Sequence, residues 1–231
     1  MLILLPTGVS LEADLEAPTG SQDSQQNKLA ILLHPWSWLG GSMNDQVLHT
    51  VSLPLLRRNY HVLRFNSRGV GRSTGWSSFT GMNEGKDLRA VVQWGLDNVP
   101  DVRSILIVGY SHGSLIASLQ PVLPPPIKTS HILLSYPLST RGLITLFHTS
   151  KYTSALTELI NNPSSNTLII FGTRDDFTGE GVYDGWVQTL QKETDGEGKG
   201  CLQFAKVDGA THFWAGEYGR QLQRLIEAWL A

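Results

Sequence analysis

Six short apolar runs punctuate the chain, and between them apolar residues recur at helical intervals. Leu29–Leu33 is continuous, Val62, Leu63 and Phe65 mark a second, and Ile105–Val108, Ile132–Leu134, Leu168–Phe171 and Leu202–Val207 mark four more. A run that stays apolar at consecutive positions cannot turn one face to water, so it reads as a strand buried on both sides. Helical stripes fill the gaps: Val47, Leu48, Val51 and Leu55; Leu88, Val91, Val92 and Leu96; Val182, Tyr183, Trp186, Val187 and Leu190; and Tyr218, Leu222, Leu225, Ile226 and Trp229. Strand and helix in alternation demand an α/β fold, a mostly parallel sheet with helices on both faces. Met1 to Ala17, with a turn at Pro6-Thr7-Gly8, adds one or two edge strands, for about eight in all.

The 231 residues suit one domain spanning 1–231. Hydrophobic residues make up 41% and charged residues 16%, enough apolar material for a core and too little charge for a disordered chain. A formal charge of −2 leaves no basic excess, so no nucleic-acid partner is expected. Leu2 to Leu5 is too short an apolar stretch for a leader or a spanning helix, so no integral membrane contact and a soluble, cytoplasmic protein are expected. A lone cysteine, Cys201, fits a reducing compartment and reads as a partly buried thiol. The polar stretch Thr19–Asn27 reads as a surface hairpin loop, and Asp195–Gly200 as a glycine-rich loop. The segment 136–166 must hold a crossover helix, which leaves room for only a small cap.

Chemistry concentrates at Gly109-Tyr110-Ser111-His112-Gly113. An apolar strand precedes it and a helix-compatible stretch, Leu115–Leu119, follows. Strand, sharp turn and helix form the context a nucleophile elbow requires. Glycines on either side allow a turn too tight for side chains. Ser111 is then displayed at a helix N-terminus, where backbone N–H groups favour developing negative charge. A serine that merely caps a helix is the plain alternative.

An elbow serine needs an acid and then a histidine further along the chain. Of the seven histidines, only His212 lies beyond the strand ending at Phe171, in Gly209-Ala210-Thr211-His212-Phe213-Trp214. The exit of that strand, Gly172-Thr173-Arg174-Asp175-Asp176, offers two acids. Asp175 is preferred, its rival Asp176 being expected as an exposed turn residue or a helix cap; Asp208 and Glu180 are weaker alternatives. An oxyanion site needs two backbone donors. The N–H of His112 is one, and since Pro35 has none, Trp36 is the preferred second donor, with Ser37 behind it. His34 is read as a brace for that loop.

These segments resemble the α/β-hydrolase superfamily. The elbow, His34-Pro35 with Gly40-Gly41-Ser42-Met43, Asn66-Ser67-Arg68-Gly69-Val70-Gly71-Arg72-Ser73 and Gly172-Thr173-Arg174-Asp175-Asp176-Phe177 carry the likeness. It is strongest to small, nearly lidless members related to dienelactone hydrolases. The resemblance implies Ser111, Asp175 and His212 as a triad. Ser67 departs from the pattern, which usually has an aromatic residue before the arginine.

The reading is a serine hydrolase cleaving a small carboxylic ester through an acyl-enzyme, with a small-molecule acyl substrate, no cofactor and no metal. Thioester, lactone or amide hydrolysis and acyl transfer use the same triad, and a non-catalytic binding protein on the same fold is the alternative from another class. Trp38, Leu143 and Phe147 are expected to wall the substrate pocket. Arg68 and Arg72 are expected to tie their loop to Glu84 or Asp87 rather than to bind a substrate carboxylate.

Overall fold

Strands β3 (Asn27–Leu33) and β5 (Val102–Tyr110) pair in parallel at the centre of an eight-stranded sheet in the computed structural model, which describes residues 1–19, 27–140, 142 and 148–231. The other strands are β1 (Leu2–Leu4), β2 (Ser10–Glu16), β4 (Tyr60–Phe65), β6 (Lys128–Leu134), β7 (Asn166–Arg174) and β8 (Cys201–Thr211). Their order is β1-β2-β4-β3-β5-β6-β7-β8. Among the described residues, only the β1–β2 and β2–β4 pairs are antiparallel. Buried Arg64 on β4 fastens β2, through ion pairs to Asp14 and Glu16 at 2.7 and 2.6 Å.

Alternate residues of each central strand feed two separate cores. Leu29, Ile31 and Leu33 with Ile105 and Ile107 face α2 (Met82–Asn98), α3 (His112–Ala117), α4 (Thr149–Asn161) and α5 (Glu180–Thr194). Ala30 and Leu32 with Leu106 and Val108 face α1 (Gln46–Arg57) and α6 (Glu217–Trp229). This period-two partition explains the unbroken apolar runs: both pleat faces are dry. Helices thus cover both faces, as the alternation predicts.

Several details differ from the sequence reading. Val182 is half exposed, at 49%, because it begins its helix off the face that carries Tyr183 and Leu190 inward. Asn27 opens β3 rather than closing a loop, and residues 20–26 lie outside the described residues. β8 runs four residues past Val207, through a polar stretch whose edge position needs no apolar run. Cys201 is exposed, since it opens that same edge strand. In 136–166 the helix α4 is in place; Leu143 and Phe147 lie outside the described residues. Among the described residues, no helix is long and apolar enough to cross a membrane.

Candidate active site

Ser111 follows β5 at the N-cap of α3, with φ 55° and ψ −122°, a conformation that L side chains rarely adopt. The turn is pinned on both sides. The Ser111 N–H donates to the Leu134 carbonyl at 2.9 Å, and the Ser111 carbonyl accepts from the Ser114 N–H at 2.8 Å and its hydroxyl at 2.6 Å. A Cβ at Gly109 would overlap the backbone of Gly113, and one at Gly113 would overlap the carbonyls of Leu33 and His34. The glycines are therefore required by close backbone approach.

Asp175 follows β7 and His212 follows β8, so both arrive at the same carboxyl edge of the sheet as Ser111. His212 Nδ1 lies 2.8 Å from Asp175 Oδ2, with both side chains buried. The other Asp175 oxygen accepts the N–H groups of Phe177 and Thr178 at 2.9 and 3.0 Å. Burial pushes the Asp175 carboxyl up, but the hydrogen bond and charge of His212 and these two N–H groups more than offset it and hold it below the usual range. An ionised Asp175 fixes the Nδ1–H tautomer and leaves Nε2 as an acceptor.

Two further contacts hold the His212 main chain, and the sequence reading missed both. Its N–H donates to Asp176 Oδ2 at 3.1 Å, and its carbonyl accepts from the Tyr110 hydroxyl at 3.0 Å. Asp176 is exposed and tethers the histidine loop through the His212 N–H. Phe177 packs edge-on against the imidazole, with ring centroids 4.5 Å apart. Its position in the Asp175-Asp176-Phe177 motif was the available signal.

The loop after β3 closes the other side. His34 is buried; Nε2 accepts the Ser67 N–H at 3.0 Å, so Nδ1 carries the proton toward the Pro35 carbonyl at 2.7 Å. Burial drives its pKa down to about 4, so it stays neutral and braces two loops. The Trp36 carbonyl accepts from the N–H groups of Leu39 and Gly41, at 3.0 and 3.1 Å, which curls the chain through a 3-10 turn at Ser37–Leu39. Arg68 is held by Asp87 through two bonds of 2.7 Å, and Arg72 by Glu12 at 2.7 Å. Both arginines are committed within the fold, Arg72 to a strand residue that the sequence reading did not consider.

Ser111, His112, His212, Trp36, Tyr110 and Phe177 line one cavity of about 240 Å³ together with Leu39, Asp45 and Phe213. Trp38 does not. Two positions beyond Trp36 on a turn with three residues per revolution, it points away, stacks on Phe79 at 4.7 Å and lines a separate surface groove. Ser37 lines that groove too, its hydroxyl donating to Ser77 at 3.3 Å.

The comparisons with known proteins agree with this architecture. Residues 7–132 match the family model of X-Pro dipeptidyl-peptidases (S15 family). An uncharacterized protein of Rickettsia prowazekii is 34% identical over 129 residues, which are 56% of this chain and 53% of that one. The chain thus spans about half the length of the curated relative it matches. An α/β serine hydrolase homologue from Coxiella burnetii superposes with a TM-score of 0.78 at 25% identity, covering 100% of this chain and 96% of that one. A serine hydrolase without lid from Xanthomonas campestris shares the fold, with a TM-score of 0.75 at 22% identity over 100% and 92% of the two chains. Because the family model spans more than half of the 231 residues, and the whole chain carries the α/β-hydrolase fold, the chain belongs to the X-Pro dipeptidyl-peptidase (S15) family.

Proposed function

We propose that the protein is a serine hydrolase that cleaves a small carboxylic ester through an acyl-enzyme. The observation that carries this reading is the buried 2.8 Å contact of His212 Nδ1 with Asp175, in a pair whose imidazole shares a cavity with the elbow serine. In the reaction, Ser111 Oγ attacks the acyl carbonyl while His212 Nε2 takes its proton. The tetrahedral oxyanion is held by the N–H groups of His112 and Trp36. As the C–O bond breaks, His212 returns the proton to the leaving alcohol. Water, deprotonated by the same nitrogen, then attacks the acyl-enzyme and releases the acid. Asp175 stays ionised and stabilises the transient imidazolium.

A cavity of about 240 Å³ with Trp36, Leu39, Phe177 and Phe213 in its wall suits a short acyl group. Each buried methylene contributes about 0.8 kcal/mol, so kcat/KM rises over the first carbons of the acyl chain and levels off once the cavity is full. A series of p-nitrophenyl esters from acetate to dodecanoate tests this, with Ser111→Ala as the control. Activity that survives in a folded Ser111→Ala protein contradicts the nucleophile, and a rate still climbing at the long end contradicts the small pocket.

The S15 family match favours one second reading, hydrolysis of an amide by the same steps, with the amine as leaving group. Dipeptidyl p-nitroanilides with proline in the second position, assayed beside the esters, decide between them. A reducing, cytoplasmic setting with no nucleic-acid partner completes the proposal, in keeping with the single exposed thiol and the net charge of −2.

A further inference from the structure

Asp45 is the one acidic side chain in the cavity wall among the described residues. It is the N-cap of α1, with Oδ1 accepting the Val47 N–H at 2.8 Å. A cap needs an acceptor oxygen and no charge: Asn and Ser serve as well as Asp. The carboxylate therefore supplies something that capping does not require. Burial pushes the Asp45 carboxyl up, and the Val47 and Leu48 N–H groups and then His212 pull it part of the way back, within a wall built largely from aromatic, proline and glycine residues. No lysine or arginine is among the described residues that line this cavity. Arg68 and Arg72, on the loop after β4, are engaged by Asp87 and Glu12.

We propose that Asp45 is a specificity-determining residue that selects esters carrying a positively charged group, an ammonium above all, and discriminates against carboxylate-bearing ones. The inference rests on the reading of Ser111 as nucleophile and adds the substrate class to it. An anion in a partly apolar wall attracts a cation more strongly than it would in bulk water. The N-terminus of α1 offsets part of that field, since a helix end carries roughly half a positive charge. The net preference is then modest, about three- to tenfold in kcat/KM; tenfold corresponds to about 1.4 kcal/mol.

The test uses two matched sets of esters. One places the charge on the alcohol: choline acetate, its uncharged isostere 3,3-dimethylbutyl acetate, and the anionic 4-acetoxybutanoate. The other places a trimethylammonium, a tert-butyl or a carboxylate group at the end of the acyl chain of a p-nitrophenyl ester. Each is assayed with the wild type, Asp45→Asn and Asp45→Ser, both substitutions keeping a capping oxygen. Ratios within each set cancel any general effect of a substitution on folding or on Ser111. The expected result is a cation-over-neutral ratio above one in at least one set, which falls three- to tenfold in both variants, with the anionic ester slowest in the wild type. Unchanged ratios in both variants overturn the proposal and leave Asp45 a cap alone. A wild type that favours the anionic ester also overturns it. Failure of the hydrolase reading is distinct: every ester, neutral ones included, is then untouched by the wild type.

Discussion

Replacing the elbow serine by glycine is expected to abolish turnover and make the protein more stable. Ser111 sits at φ 55° and ψ −122°. A non-glycine residue held in such a region costs on the order of 1–3 kcal/mol. Glycine removes that cost but loses more backbone freedom on folding, about 0.5–1 kcal/mol relative to alanine. The balance favours Ser111→Gly over Ser111→Ala by about 1 kcal/mol. The alanine variant is the proper reference, because it lacks the hydroxyl but keeps the Cβ that causes the strain. For a chain of this size 1 kcal/mol corresponds to roughly 2–4 °C in Tm, well within the reach of calorimetry or a urea titration. A glycine variant no more stable than the alanine variant would refute the argument that the fold stores strain at Ser111.

Two other outcomes follow from the same geometry. Asp175→Asn should lower kcat by about 10⁴-fold through loss of the correct imidazole tautomer, while Asp176→Asn, which touches only the His212 N–H, should cost far less; comparable losses in the two would reassign the acid. His34, His112 and His131 are buried with pKa values driven down to about 4, against 6.5 when unfolded, so acid between those values protonates only the unfolded chain. Stability is then full above pH 6.5 and falls on acidification with a slope approaching about 4 kcal/mol per pH unit near pH 5; a urea midpoint that does not change between pH 6.5 and 4.5 would contradict this.

The parts of this molecule that are legible in sequence are those whose residue choice has a single physical cause. β3, β5, β6 and β7 are dry on both faces, and only a continuous apolar run satisfies that. The elbow is legible because backbone atoms lie where a Cβ at Gly109 or Gly113 would have to be. Contacts made across long stretches of chain leave no such mark. Tyr110 reaches the His212 carbonyl 102 residues away, and Asp176 its N–H across 36 residues; nothing in a tyrosine or a second aspartate announces either. Trp38 shows the complementary failure. A bulky apolar residue on the loop after β3 reads as pocket wall, but the 3-10 turn at Ser37–Leu39 sends Trp36 and Trp38 to different sides. Asp45 was hidden for another reason: in sequence an aspartate before a helix reads as a cap, and only the structure places it in the cavity wall.

The central claim is that Ser111 is a nucleophile activated by His212, and covalent labelling measures it without knowledge of the substrate. Incubation with a fluorophosphonate, followed by intact-mass and peptide analysis, should add one phosphonyl group per chain of the wild type, on Ser111. The rate should fall steeply in His212→Ala, and neither Ser111→Ala nor Ser111→Gly should be labelled. A folded wild type that resists the reagent, or labelling that persists at the same rate without Ser111, would contradict the account.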